Sequence, residues 1–350
     1  MRIAILGPVM TKAYYGGVAT FDEGLAESLI RMGHHTLLFT VQKGEVLNSL
    51  LPIKQVSLYQ LSPAINSYRP DLVIASLQYA MCFPFIYYGK KVLFLHGFFN
   101  FESYGALKTL LSVYATKVMA HHSDYVLANS NFTATINRRI WGIPVNGITY
   151  LGLDHKFLEN ATDSFKETVK KKGQILFVGR LVKSKKVDRM IQALSVLDLR
   201  DTTYQFVIAG AGPEYESLKN LAEQKNVKVQ FLGKIPHDEI YKLYLESEIF
   251  MSLGESEPFG LTFIESLVSN CKIICPNTGG QVEFLTSYAD RVKFINPLDI
   301  MDIADGLHNL LNLKIEPIDI EKVISRFNYS ETAKKIFSIV KEQNGREKIL

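Results

Sequence analysis

Three cysteines in 350 residues, Cys82, Cys271 and Cys275, sit in apolar surroundings at no metal-ligand spacing. That scarcity excludes a disulfide-stapled secreted scaffold and a zinc module, and it fits small core residues in a reducing cytoplasm. No HExxH, no Cys/His cluster and no Asp-x-Asp pair occurs, so no cofactor or metal is expected. Long apolar runs are equally scarce. Leu72 to Gly89, LVIASLQYAMCFPFIYYG, comes nearest to the about 20 residues that a membrane span needs, but Gln78 and Pro84 interrupt it. It reads as a buried strand DLVIAS, an irregular apolar stretch and a second strand KKVLFLHG. The opening MRIAILGPVM has one basic residue and a short apolar run closed by Gly-Pro, which reads as a first strand and not as a secretory leader. A net charge of +4 without a stripe of arginines and aromatics excludes a nucleic-acid footprint. It suits an anionic small molecule or a membrane surface.

What the chain does have is alternation. RIAIL, HTLLFT, DLVIAS, VLFLHG and YVLANS are short β-branched runs separated by amphipathic ones such as TFDEGLAESLIRMG and ALKTLLSVYATKVMAHH. That rhythm predicts a parallel sheet covered by helices on both faces. A polar, Lys-rich stretch, ATDSFKETVKKKG, then reads as a linker. The pattern restarts with QILFVGR, YQFVIAG, VKVQFLG, EIFMSL, CKIICP and VKFIN. The expected fold class is α/β, with two Rossmann-like doubly wound domains over residues 1–160 and 170–327 and an amphipathic helix from about 328 to 350. A ligand is expected in the cleft facing the carboxyl ends of both sheets.

Several motifs lie at strand ends. Gly16-Gly17 follows the first strand and opens a helix, where backbone amides can approach an anion or simply make a turn. Gly210 and Gly212 in VIAGAGPE imitate a dinucleotide fingerprint but lack its third glycine, so nicotinamide binding is not expected. Arg180 and Lys185 in VGRLVKSKKVD stand just past the first strand of the second unit, a position suited to a diphosphate or to a solvated basic turn. His96 ends the strand VLFLH, where it either reaches ligand or completes the core.

The acids Glu257 and Glu265 in GESEPFGLTFIE pose a separate question. On one continuous helix they would stand about 80° and roughly 12 Å apart, too far for a glycosidase pair acting on one bond at about 5 to 9.5 Å. Pro258 is expected to open a helix in its first turn, with Glu257 before it and Glu265 on it. The amides of Phe259, Gly260 and Leu261 would then form an anion site between the two carboxylates, each of which faces neutral hydroxyls. Sugar diol, diphosphate and ribose diol occur in that order in a sugar nucleotide.

With those motifs in order over nearly the whole chain, the sequence resembles the retaining GT-B glycosyltransferases of glycosyltransferase family four. The resemblance implies a nucleotide-sugar donor, UDP-linked by family frequency, and a saccharide or lipid-linked acceptor in bacterial-type surface glycan synthesis. Arg180 and Lys185 would neutralise the donor diphosphate, Glu265 would bind the ribose, and Glu257 would hold the transferred sugar with the amides of Phe259 to Leu261. His96 would lie beside the reacting centre. Gly16-Gly17 would approach the phosphate, and Ile235 after Gly233 would meet the base through its backbone. The final helix would cross back onto the first domain. Transfer would proceed by front-face displacement with retention, without a protein base or a metal.

The chain departs from the family pattern at two places. Lys186 stands where a glycine usually follows the spaced lysine, and Leu151-Gly152 stands for Asn-Gly. Competing expectations are an inverting GT-B transferase or a sugar-nucleotide epimerase, with His96 or Asp22 as base, and a non-catalytic GT-B partner subunit. The expected location is cytoplasmic, with peripheral contact to the inner membrane face through the aromatics between Phe83 and Tyr104 as one option and buried packing of those aromatics as the other.

Overall fold

The computed structural model describes residues 1–12, 14, 16–48, 50–101, 105–165, 168–198, 203–236 and 239–347. The chain divides into two compact units, one of residues 1–154 with 326–350 and one of residues 155–325.

In the first unit, β1 (Arg2–Leu6), β2 (His35–Thr40), β3 (Ile53–Gln55), β4 (Leu72–Ser76), β5 (Lys90–Leu95), β6 (Tyr125–Ala128) and β7 (Gly147–Ile148) form a parallel sheet in the order β3-β2-β1-β4-β5-β6-β7. α1 (Gly17–Arg31), α2 (Leu58–Tyr68), α3 (Ala106–His121) and α4 (Asn131–Arg139) make the crossovers, with a 3-10 helix over Leu77–Phe85. LVIAS of β4 and YVLA of β6 are buried at every position. Strands covered on both faces have no polar side to show, which is why they read as unbroken apolar runs. Ala4, Leu6, Val73, Phe83 and Leu93 centre this core.

The second unit repeats the plan. β8 (Lys171–Val178), β9 (Gln205–Ala209), β10 (Val229–Gly233), β11 (Ser247–Met251), β12 (Lys272–Pro276) and β13 (Val292–Ile295) are ordered β10-β9-β8-β11-β12-β13. Its helices are α5 (His155–Phe165), α6 (Val187–Asp198), α7 (Tyr215–Gln224), α8 (Ile240–Glu246), α9 (Leu261–Val268), α10 (Val282–Leu285), α11 (Ile300–Asn312) and α12 (Ile320–Arg326). The strand order reverses between β1 and β4 in one sheet and between β8 and β11 in the other. Loops diverge at such a point and leave a crevice at the carboxyl ends of the strands.

The stretch 161–173, expected as a linker, is largely structured. Ala161 is buried on α5, Phe157 of that helix meets Tyr244 edge-on, and Lys170 Nζ donates to the carbonyls of Ser247 and Ser269. Its polarity belongs to the exposed faces of a helix and a strand end; residues 166 and 167 lie outside the described residues.

The last helix, α13 (Tyr329–Glu347), packs on the first unit. Tyr329 OH donates to the Thr20 carbonyl, Ser28 and Ser330 share a hydrogen bond, and Tyr125 OH donates to the Val340 carbonyl. Gly152 explains part of the departure noted above. A Cβ there would meet the Tyr329 nitrogen at 2.3 Å, and Leu153 N donates to the Phe327 carbonyl. The glycine permits this crossing of two backbones, while the neighbouring Leu151 is core.

Candidate active site

In the second unit the site residues gather where β8 and β11 diverge. Gly179 and Arg180 leave the end of β8, and the 3-10 turn Lys183–Lys185 follows. Arg180 is exposed and has no side-chain partner among the described residues. Lys185 Nζ donates to Glu257 Oε2 at 2.6 Å, and Lys186 Nζ pairs with Glu255 Oε2 at 2.9 Å, so two lysines of one loop bind two acids of the other. Lys186 has a φ of 52°, in the left-handed region. Glycine suits that position because it lacks the Cβ that clashes there, so this chain carries strain where the family pattern has none.

The Arg180 loop is positioned by the two glycines of VIAGAGPE. A Cβ on Gly210 would meet the Gly179 carbonyl oxygen at 1.8 Å, and one on Gly212 would meet the Leu181 carbonyl oxygen at 2.3 Å. Leu181 N donates to the Ala211 carbonyl, and Glu214 N donates to that of Leu181. These glycines serve backbone-on-backbone packing, a role their spacing did not reveal.

Helix α9 begins at Leu261, three residues later than Pro258 led us to expect; Pro258 lies in the preceding bend. Gly260 is its N-cap, at a φ of 92°, and a Cβ there would meet the Phe263 ring at 2.5 Å. Among the described residues no side chain caps this helix end; the Phe263 amide donates to the Gly260 carbonyl, and the amides of Gly260 and Leu261 precede any intrahelical acceptor. Phe259 is buried against Phe284, so only its backbone faces the loop. Glu257 precedes the helix and Glu265 lies on it. Glu265 Oε2 accepts from Tyr244 OH at 2.8 Å, and burial drives the Tyr244 phenol well above its ordinary pKa and keeps it a donor.

A third loop supports the acids and carried no signal in the sequence. Gly280 N donates to the Glu257 carbonyl at 2.8 Å, Thr278 Oγ1 donates to that of Glu255, and a Cβ on Gly280 would meet the Pro258 carbonyl oxygen at 2.0 Å. Gly233 ends β10 with a φ of 68°, its carbonyl accepting from Gly210 N, and Ile235 follows half-buried.

In the first unit, Gly16 caps α1 and Gly17 starts it, and among the described residues a Cβ on Gly17 would meet nothing within 4 Å. His96 follows β5 directly. Its Nε2 lies 2.8 Å from Ser76 Oγ at the end of β4, and that hydroxyl reaches Asp22 Oδ1 of α1 at 2.6 Å. Asp22 is fully buried, its Oδ2 has no partner among the described residues, and it rests on Gly7, where a Cβ would meet it at 1.9 Å. Burial raises its pKa well above the usual carboxylate range, the Ser76 hydrogen bond opposes the rise and the neighbouring Glu23 adds to it. Loss of solvent lowers the His96 pKa to about 3. The ring is neutral at physiological pH; because Ser76 Oγ donates to Asp22 Oδ1, the same hydroxyl accepts from His96 Nε2–H, so Nε2 carries the ring proton. Ser76, 20 residues upstream of His96, carries no signal of this contact in the sequence.

Comparison with known proteins adds to this geometry. The family model described as glycosyl transferases group 1 matches residues 159–335. An uncharacterized glycosyltransferase of Methanocaldococcus jannaschii is 27% identical over 182 residues, covering 49% of this chain and 46% of that protein, so the chain spans under half of that relative's length. The phosphatidylinositol N-acetylglucosaminyltransferase gpi3 subunit of Schizosaccharomyces pombe is 24% identical over 371 residues, covering 95% of this chain and 79% of that protein. Among solved structures, Anabaena HepE in complex with UDP aligns with a TM-score of 0.76 at 16% identity, over 98% of this chain and 100% of that one. The two parallel Rossmann-like units are those of the GT-B fold. The chain belongs to the glycosyl transferases group 1 family.

Proposed function

We propose that this chain transfers a hexose or N-acetylhexosamine, with retention of anomeric configuration, from a UDP-linked donor to a saccharide or lipid-linked acceptor in surface glycan synthesis. The observation that carries the reading is the convergence of Arg180, Lys185, Glu257 and the open end of α9 where β8 and β11 diverge. Arg180 and Lys185 take the diphosphate, and Lys185 shares its charge between that group and Glu257. Glu257 accepts from hydroxyls of the sugar, and the amides of Gly260 and Leu261 face the phosphates. Glu265, aligned by Tyr244, accepts from the ribose, and the backbone of Gly233 and Ile235 meets the base. In the first unit, Gly16-Gly17 offers backbone amides at the start of α1, and His96 offers its ring at the end of β5.

In the reaction the acceptor oxygen bonds to the anomeric carbon on the face from which the diphosphate departs. The bond from that carbon to the phosphate oxygen breaks, and the same oxygen takes the acceptor's proton. Inversion needs a base, and the two candidates are poorly suited. His96 has a conjugate acid of pKa about 3, and the carboxyl of Asp22 is buried against Gly7. Neutral His96 serves instead as a hydrogen-bond acceptor through Nδ1, its Nε2–H being held by Ser76. The name of the fission-yeast relative and the UDP held by the Anabaena neighbour support the donor class, and the first of these also supports a lipid acceptor. The three cysteines are buried and unpaired, which fits work in a reducing compartment.

A thermal-shift panel of UDP-, GDP- and ADP-sugars tests the donor site. UDP-sugars stabilise the wild type, and Glu265→Ala abolishes the shift; stabilisation by none of the three classes overturns the reading.

A further inference from the structure

Helix α3 carries its largest apolar side chains on the outside. Thr109, Val113, Thr116, Met119 and Ala120 face the core, whereas Leu107, Leu110, Leu111 and Tyr114 are 73%, 54%, 60% and 69% exposed. The spacing 107, 110, 111, 114 is one stripe about 100° wide on a helix of 100° per residue. Monomeric proteins leave such stripes bare when something else covers them. Exposed Lys108 and Lys117 flank it, His121 and His122 close its carboxyl end, and no acid occurs among the residues of the helix. Phe101, 52% exposed and packed edge-on against Trp141, extends it at the amino end.

We infer that the outer face of α3 docks in the plane of an anionic lipid bilayer, with Leu107, Leu110, Leu111 and Tyr114 inserted at the acyl boundary and Lys108 and Lys117 on the headgroups. The charges select this occupant over a second copy of the chain. A two-fold pairing of two α3 faces brings lysines of like sign together with no acid on the helix to offset them, while anionic lipid matches them. Among the described residues no helix is long and apolar enough to cross a membrane, so the contact is interfacial. The aromatics Phe85, Tyr87 and Tyr88 lie before β5, at the opposite end of that strand from His96, and their turn is tied to Asn66. α3, by contrast, is anchored to the loop that leaves His96: Thr109 Oγ1 donates to the Asn100 carbonyl, and the same loop is held from beyond the end of α4 by Trp141 Nε1, which donates to the Phe99 carbonyl. Docking α3 therefore brings the His96 loop to the bilayer surface, where a lipid-linked acceptor, if the proposed transfer holds, reaches it without leaving the membrane.

Sedimentation of the full chain with extruded vesicles tests this, using phosphatidylcholine alone and phosphatidylcholine with about 30 mol% phosphatidylglycerol. The wild type partitions at least about tenfold more strongly to the anionic vesicles, and salt weakens the binding. Leu110→Glu with Leu111→Glu lowers partitioning about tenfold or more, and Lys108→Ala with Lys117→Ala removes the preference for anionic lipid. Melting temperatures and donor-induced thermal shifts of these variants match the wild type, which separates failure of the docking face from failure of the donor site. No vesicle binding by the wild type, equal binding to both vesicles, or unchanged binding by the glutamate variant overturns the inference. So does a wild-type dimer that the glutamate variant converts to monomer, because a second copy is then the occupant.

Discussion

Lys185 Nζ and Glu257 Oε2 stand 2.6 Å apart, joining the loop after β8 to the loop after β11 at the point where the strand order reverses. The pair is only partly shielded, and such pairs add no more than about 1 kcal/mol to folding. Its charges matter more to ligand than to stability. Lys185→Ala is expected to lower turnover about 100-fold or more, with a change in unfolding free energy below about 1 kcal/mol. Denaturant unfolding beside initial rates checks both, and a loss of stability that parallels the loss of rate contradicts the assignment.

Glu265 accepts a hydrogen bond from the buried Tyr244 hydroxyl. Tyr244→Phe leaves the buried ring in place and removes the hydrogen bond to Glu265. We expect about 1 kcal/mol of destabilisation and a donor KM several-fold higher with little change in kcat, since binding remote from the bond is equal in ground and transition states. A fall in kcat alone speaks against a ribose contact for Glu265.

Asp22 and His96 give pH dependences of opposite sign. The folded pKa of Asp22 is raised, so its stabilising contribution is complete below about pH 4 and is lost as pH rises through the folded value. The folded pKa of His96 is lowered to about 3, so its contribution is complete above about pH 6.5 and is lost as pH falls toward 3. Asp22→Asn is therefore expected to raise the melting temperature at pH 8 and to lose that advantage by pH 4. His96→Gln is expected to flatten the fall of stability between pH 6.5 and 4. Melting curves over this range check both signs.

At Lys186 the φ of 52° predicts a contrast between two substitutions. Lys186→Gly relieves about 1 kcal/mol of left-handed strain and gives up a surface pair worth less than that, so stability holds or rises slightly. Lys186→Val puts a β-branched side chain there and costs about 1 to 2 kcal/mol. Chemical denaturation ranks them, and Val at or above Gly contradicts the conformation.

Gly210→Ala and Gly280→Ala test the supporting loops. Each added methyl meets a carbonyl oxygen, of Gly179 or Pro258, at 2.0 Å or less. Both substitutions are expected to destabilise by about 1 to 3 kcal/mol and to weaken donor binding at least tenfold, read by titration calorimetry on the folded fraction. Unchanged affinity shows that the Arg180 and Glu257 loops do not need this packing.

Both sheets were legible in the sequence because buried parallel strands must be unbroken apolar runs, as LVIAS and YVLA are. Strand-end residues were legible too, since His96 follows β5 directly and Arg180 stands just past β8, with Lys185 in the turn beyond it. What was hidden depends on contacts between distant residues. Ser76 becomes a site residue only when β4 and β5 lie side by side, and Gly210, Gly212 and Gly280 only when loops cross. Pro258 misled locally because Gly260, in the left-handed region, caps the helix and moves its start to Leu261. The polarity of 161–173 suggested a linker because composition reports exposed faces and not the buried contacts of Ala161 or the carbonyls around Lys170.

Slow transfer to water avoids the need to know the acceptor, and it tests the central claim most directly. UDP-glucose and UDP-N-acetylglucosamine are incubated with the protein, and the anomeric protons of the freed sugar are followed by NMR before mutarotation. The α anomer appears first, and Lys185→Ala suppresses its release. First appearance of the β anomer, or release that Lys185→Ala leaves unchanged, contradicts retaining transfer at this site.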